Sequence, residues 1–175
     1  MSLPDVKRQD RIMLRLSQEL YDAASDLADQ HNRSLNGEIC TSFSKWLYEH
    51  DALMLVKDRL LATTTEDTIL SILRRTPSFE IGTEVERDTC TCPVRLKEDV
   101  GRALRRAHTS FKAGADGFLS LNAFMKMVLA WWISYSFQVS ECSKALYNNF
   151  MHSNSHPRIA LTLPGSVQIR EPQCA

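Results

Sequence analysis

Arg11, Met13 and Arg15 stand two residues apart, and so do Thr91, Pro93 and Arg95. Side chains two apart on a strand share a face, so each set would project together from its own strand. The chemistry open to such sets is recognition rather than bond making. A guanidinium is a flat fork of donors suited to paired acceptors, and a two-stranded ribbon has the shape to enter the DNA major groove. Two elements must position these side chains. One is a strand whose other face, Ile12, Leu14 and Leu16 in the first case, supplies a hydrophobic floor. The other is a pair of amphipathic helices behind it. The chain encodes that programme twice, so the two strands can pair with each other.

The first copy begins with the strand 10–16. Ser17 or its neighbour starts a helix, with Gln18 and Glu19 in the first turn. Leu20, Ala24, Leu27 and Ala28 form one helical stripe. His31-Asn32-Arg33 ends that helix, and Asn32 suits a left-handed cap. Ser34 caps the next, in which Leu35, Ile39, Phe43 and Leu47 recur every four residues beside Trp46.

The segment from Arg11 to Leu47 resembles the ribbon-helix-helix proteins, and within that superfamily (MetJ/Arc) the Arc and Mnt repressors of phage. Leu14-Arg15-Leu16, Glu19-Leu20 and, above all, Asn32-Arg33-Ser34-Leu35-Asn36-Gly37-Glu38-Ile39 carry the resemblance. It implies that the outward strand residues Arg11, Met13 and Arg15 read base edges. Ser34 and the backbone amides of Leu35 and Asn36 would hold a phosphate at the helix start. Free amides at a helix start do favour an anion, and arginine can grip guanine O6 and N7. Met13 stands where the family often has an amide; it can pack on a thymine methyl but cannot donate. Arc-like proteins also bury an Arg-Glu-Arg network. Arg33 and Glu38 match two members and Ser42 replaces the third, so a reduced pair is expected.

A shift of 80 positions sets Arg15-Leu16 on Arg95-Leu96, Leu20 on Val100 and Ala23 on Ala103. The stripe becomes Val100, Leu104, Ala107 and Phe111. The shift then grows to 86, setting Ser34-Leu35-Asn36 on Ser120-Leu121-Asn122 and Trp46 on Trp132. The extra residues, Lys112-Ala113-Gly114-Ala115-Asp116-Gly117, read as a surface loop. This copy is degenerate: Leu119 and Phe124 replace Arg33 and Glu38. By the same resemblance Thr91 and Arg95 would meet bases, and Ser120 and Asn122 a phosphate. Proline at 93 is tolerable because both strands of a ribbon are edges. The helix over 97–112 is basic, with Lys97, Arg102, Arg105, Arg106, His108 and Lys112 against Glu98 and Asp99. It reads either as a solvated face or as a contact to DNA backbone.

Between the copies, Leu53, Leu55, Val56, Leu60 and Leu61 imply that the helix from Ser34 continues or restarts near Asp51. Thr65 would cap a further helix holding Ile69, Leu70, Ile72 and Leu73, ended by Thr76-Pro77. Glu80, Glu84, Glu86 and Asp88 form an acidic connector that phosphates would repel. After the second copy, Ser134 to His152 continues as helix with a stripe of Tyr135, Val139, Cys142, Leu146 and Phe150. A short strand over Ile159 to Leu163 and an otherwise irregular tail follow.

The expected fold is therefore mostly α. Two ribbon-helix-helix units, 8–48 and 89–152, would form an intramolecular pseudo-dimer around a two-stranded antiparallel ribbon. A helical connector (49–88) and a tail (153–175) complete the chain. The tandem arrangement resembles the ribbon-helix-helix proteins of conjugative plasmids, TraY among them. That resemblance implies a sequence-specific binder of double-stranded DNA, a transcriptional regulator or a relaxosome accessory protein, with self-association on DNA. A protein-binding module, antitoxin or phage-type inhibitor, is the alternative, and its partner would be a protein.

Composition constrains the rest. Lysine plus arginine and aspartate plus glutamate number 21 each, a balance that argues against coating DNA over the whole surface but allows a local basic face. Five cysteines without a signal peptide lead to the expectation of a reduced cytoplasmic setting, in a bacterial cell or phage-infected host and near the nucleoid. Cys90 and Cys92 would both be buried beside Val94 and Leu96. No phosphate loop, dinucleotide fingerprint or metal-ligand spacing is present, and the scattered histidines, including His152 and His156, make no zinc pattern. No enzyme activity, cofactor or metal is expected. The apolar run Ala123 to Val139 is shorter than the ~20 residues of a membrane span, so a core helix and no membrane partner are expected.

Overall fold

The computed structural model describes residues 9–81, 89–114 and 119–153. Among them the order is β1 (Gln9–Ser17), α1 (Gln18–Gln30), α2 (Leu35–Ala62), α3 (Glu66–Arg75), β2 (Thr89–Lys97), α4 (Glu98–Gly114) and α5 (Leu121–Ser153). The described residues are mostly helical around one two-stranded sheet. β1 and β2 pair antiparallel, with Arg11 opposite Arg95, Met13 opposite Pro93 and Arg15 opposite Thr91.

Period-two alternation decides which face of the ribbon points inward. Leu14, Leu16, Cys92, Val94 and Leu96 are buried and Ile12 is half-buried. Full burial of each large aliphatic contributes about 1.5–3 kcal/mol. Cys90 departs from the expected floor. It lies half-buried near the end of the ribbon, and its thiol donates to Gln18 Oε1 at 3.0 Å.

Each helix begins and ends where local chemistry directs. Ser17 caps α1 by accepting from Leu20 N, and the stripe Leu20, Ala24, Leu27 and Ala28 is buried. Asn32 takes φ 53°, the left-handed conformation that asparagine tolerates, and turns the chain into α2. Ser34 caps α2 through Gly37 N at 3.1 Å. A methyl on Gly37 would crowd that same hydroxyl. α2 then runs without a break for 28 residues, so the helix continues past Asp51 rather than restarting. α3 begins after Thr65, whose hydroxyl meets that of Thr68 instead of a backbone amide.

The core lies between the ribbon floor and the helices, with Phe43, Phe124, Met125, Leu129, Ile133 and Leu104 at its centre. α2 and α5 make the most extensive helix–helix contact. α3 closes on α5 through Arg75–Glu141 (3.0 Å), Gln138 donating to Thr76 Oγ1 (3.3 Å) and Ser134 donating to the Pro77 carbonyl (2.9 Å).

Three sequence expectations need correction. α4 extends through Gly114, into the stretch read as a loop. One turn of helix satisfies backbone groups that a loop would leave to water. Phe111 and Phe150, placed on inward stripes, are 43% and 64% exposed; Phe111 sets its ring 5.8 Å from that of buried Phe124, at the rim of the core, and Phe150 lies near the end of its helix. The rest of the extra loop, the acidic connector after Ile81 and the tail strand lie outside the described residues. No helix among the described residues is long and apolar enough to cross a membrane.

Candidate nucleic-acid interface

The outer face of the ribbon carries Arg11, Met13, Arg15, Thr91, Pro93, Arg95 and Lys97, all exposed. Every base-reading candidate therefore stands on one surface. Direct opposition puts Arg11 beside Arg95, a like-charge pair that is unfavourable on an isolated ribbon. No acid lies within ion-pair distance of Arg11, Arg15, Arg95 or Lys97 among the described residues. Met13, 60% exposed, and Pro93 form an apolar saddle between the charged rows. The neighbouring acid, Asp10, points to the other face and is held by Arg105, whose hydrogen bond lowers the Asp10 pKa.

Two helix starts flank the ribbon. Asn36, in the first turn of α2, accepts from Arg95 N at 2.8 Å, and Cys40 Sγ donates to Arg95 O at 3.2 Å. Asn122, in the first turn of α5, accepts from Arg15 N at 2.9 Å and donates to Arg15 O at 3.2 Å. Each outer edge is thus clamped at an arginine. That fixes the backbone from which the guanidinium projects and blocks the edge from further strand pairing. Ser120 caps α5 as Ser34 caps α2, accepting from Ala123 N at 3.1 Å.

These bonds refine the roles of the helix-start residues. The side chains of Asn36 and Asn122 are committed to the ribbon, which leaves the exposed Ser34 and Ser120 hydroxyls, each accepting in its cap with a proton still to donate, and the backbone amides near Leu35, Asn36 and Asn122 as the groups that could meet an anion. The Leu35 side chain turns towards the core. Sequence reasoning missed the clamps, although their signal was present as a Ser-x-Asn triplet repeated 86 positions apart.

No family model, curated protein or solved structure matches this chain. The reading of the interface therefore rests on the chain's own residues and geometry.

Beneath the ribbon, Glu38 is fully buried. It accepts from Trp132 Nε1 at 2.7 Å and Arg33 Nη1 at 3.0 Å, and His31 Nδ1 lies 2.8 Å away. Burial pushes its pKa up, but the hydrogen bonds from Trp132, His31 and Arg33 outweigh that and hold it below the ordinary value. The expected Arg33–Glu38 pair is present, and Trp132 and His31 complete the shell around it. Burial raises the pKa of Cys40 and Cys92, which keeps both thiols protonated rather than nucleophilic. Among the described residues no cluster of His, Cys, Asp or Glu could hold a metal ion.

Proposed function

We propose that this chain is a sequence-specific double-stranded DNA-binding protein, a regulator of transcription or a relaxosome accessory factor. Two ribbon-helix-helix units within one chain would place a β-ribbon in the major groove. The observation that carries this reading is the acid-free outer face of the ribbon, with Arg11 directly opposite Arg95 above a closed apolar floor. A polyanion relieves that like-charge pairing. Arg11, Arg15, Thr91 and Arg95 would meet base edges, and Met13 would lie against thymine methyls. The amide-rich starts of α2 and α5 on either side would receive backbone phosphates.

The intramolecular pairing is supported by the matched clamps, Asn36 on Arg95 and Asn122 on Arg15. The unequal strand faces then make the target of each chain non-palindromic. Footprinting on the DNA flanking the chain's own gene identifies the target. Arg15→Ala should abolish the footprint while circular dichroism stays unchanged. Affinity should fall with salt by ~0.9 log units per log unit for each phosphate contacted. An intact fold without DNA affinity at low salt would instead support the protein-binding reading, for which the exposed Leu70, Leu73, Tyr147, Phe150 and Met151 offer apolar contact.

A further inference from the structure

Because β1 and β2 are antiparallel, α1 leaves the ribbon at its Ser17 end and α4 at its Lys97 end. The two helices carry opposite charge. α1 bears Glu19, Asp22, Asp26 and Asp29, all exposed, and no basic residue. α4 bears exposed Arg102, Arg105, Arg106 and Lys112, with Glu98 and Asp99 only in its first turn. The contrast is positional: the shift of 80 that aligns the strands sets Asp22 on Arg102 and Asp26 on Arg106. Residues four apart share a helix face, so one helix presents a pair of carboxylates where the other presents a pair of guanidinia.

Internal pairing consumes only part of this charge. Arg102 meets Glu98 at 2.8 Å and Arg105 meets Asp10. Among the described residues, Arg106 and Lys112 have no acid within ion-pair distance, and the four α1 acids have no cation. Asp22 accepts from Gln18, and Asp26 borders a cleft whose lining includes Lys144. The basic side is an open face of α4 formed by Arg102, Arg105, Arg106, Thr109 and Ser110, all exposed. A zero net charge thus conceals one acidic helix and one basic helix.

We propose that the acidic face of α1 on one copy docks on the basic face of α4 on a second copy of this chain, head to tail. The contacting surfaces differ, so the interface is heterologous and propagates instead of closing as a two-fold dimer. Exposed ion pairs are individually weak and screened by salt, so the association is of low affinity and confined to low ionic strength. Every copy in such a string points the same way. Chains so arranged on DNA would occupy direct rather than inverted repeats, although the docking does not depend on the DNA-binding reading.

The test is sedimentation velocity of the full chain without DNA, at ~20 mM and ~500 mM salt, either side of the ~0.1 M at which the Debye length is about 10 Å. Asp22→Arg with Asp26→Arg replaces the acidic pair of α1 by a basic one, and Arg102→Asp with Arg106→Asp replaces the basic pair of α4 by an acidic one. The unmodified chain should associate at low salt and not at high salt. Each variant alone should sediment as a monomer, and an equimolar mixture should regain association, because opposite faces meet again. All four positions are exposed, and circular dichroism checks that the helices persist. A chain monomeric at low salt, variants that associate unaided, or a mixture that stays monomeric would overturn the proposal. Monomers whose DNA affinity collapses on Arg102→Asp with Arg106→Asp would instead assign α4 to the DNA backbone.

Discussion

Glu38 on α2 and Phe124 on α5 stand 86 positions apart, as the two clamping asparagines do, and both are fully buried. Each faces a tryptophan from the other long helix. Trp132 donates its indole N–H to Glu38 at 2.7 Å, whereas Trp46 sets its ring edge-on to Phe124 with centroids 5.2 Å apart. His31 sits beside the carboxylate, and His108 lies 5.6 Å from the phenyl ring. One slot is therefore filled by a charge with three donors and the other by a ring among rings. The difference teaches that burial here does not require one chemistry. A charged slot is unforgiving, because every lost donor leaves a buried carboxylate short of partners. An aromatic slot depends on volume and shape alone.

Truncation should break the comparison most sharply on the aromatic side. Phe124→Ala removes a fully buried ring and should cost about 3–5 kcal/mol in urea unfolding, with no change in the pH profile of stability. On the charged side Trp132→Phe keeps an aromatic ring but deletes the indole donor with the ring that bears it, and should cost about 1–3 kcal/mol for the donor besides a smaller cost for the void left behind. It should also change the acid limb. The Glu38 pKa lies below its ordinary value of 4.5 in the fold. Its stabilisation is therefore complete above that value and is lost as pH falls from there through the folded pKa. With one donor gone the folded pKa rises, so Trp132→Phe should shrink this acid-sensitive contribution, measured as urea stability across pH 3 to 7. An unchanged limb would mean that Trp132 does not govern the carboxylate. The smallest effect should come from the clamps. Asn122→Ala removes two hydrogen bonds to Arg15, and Asn36→Ala removes one to Arg95, each bond contributing about 1 kcal/mol. Amide exchange at Arg15 should accelerate in the first variant and at Arg95 in the second.

Periodicity made much of this fold legible. Alternation in Arg11 to Leu16 decides which side chains are covered, and the i, i+4, i+7, i+8 stripe of α1 names its buried face without any knowledge of partners. Ser17, Asn32 and Ser34 mark boundaries because their side chains act on backbone only a few residues away. The Glu38 shell was half legible. Arg33 is local, whereas Trp132 is 94 residues distant and meets Glu38 only once α2 and α5 have packed. The clamps had the same obstacle, since Asn122 and Arg15 are 107 residues apart. Helix ends were the weakest expectations. Near the ends of α4 and α5 the hydrophobic stripe outruns full cover, so Phe111 reaches Phe124 yet stays 43% exposed, and Phe150 is 64% exposed.

The ribbon joins strands whose paired centres, Met13 and Pro93, are 80 residues apart. At ribosomal speeds of about 5–20 residues per second, β1 leaves the ribosome roughly 4–16 s before its mate does. During that interval Leu14 and Leu16 have no strand opposite them. On a polysome, pairing of the β1 of one nascent chain with the β2 of a chain further along in synthesis is the misassembly that such an unpaired interval would permit.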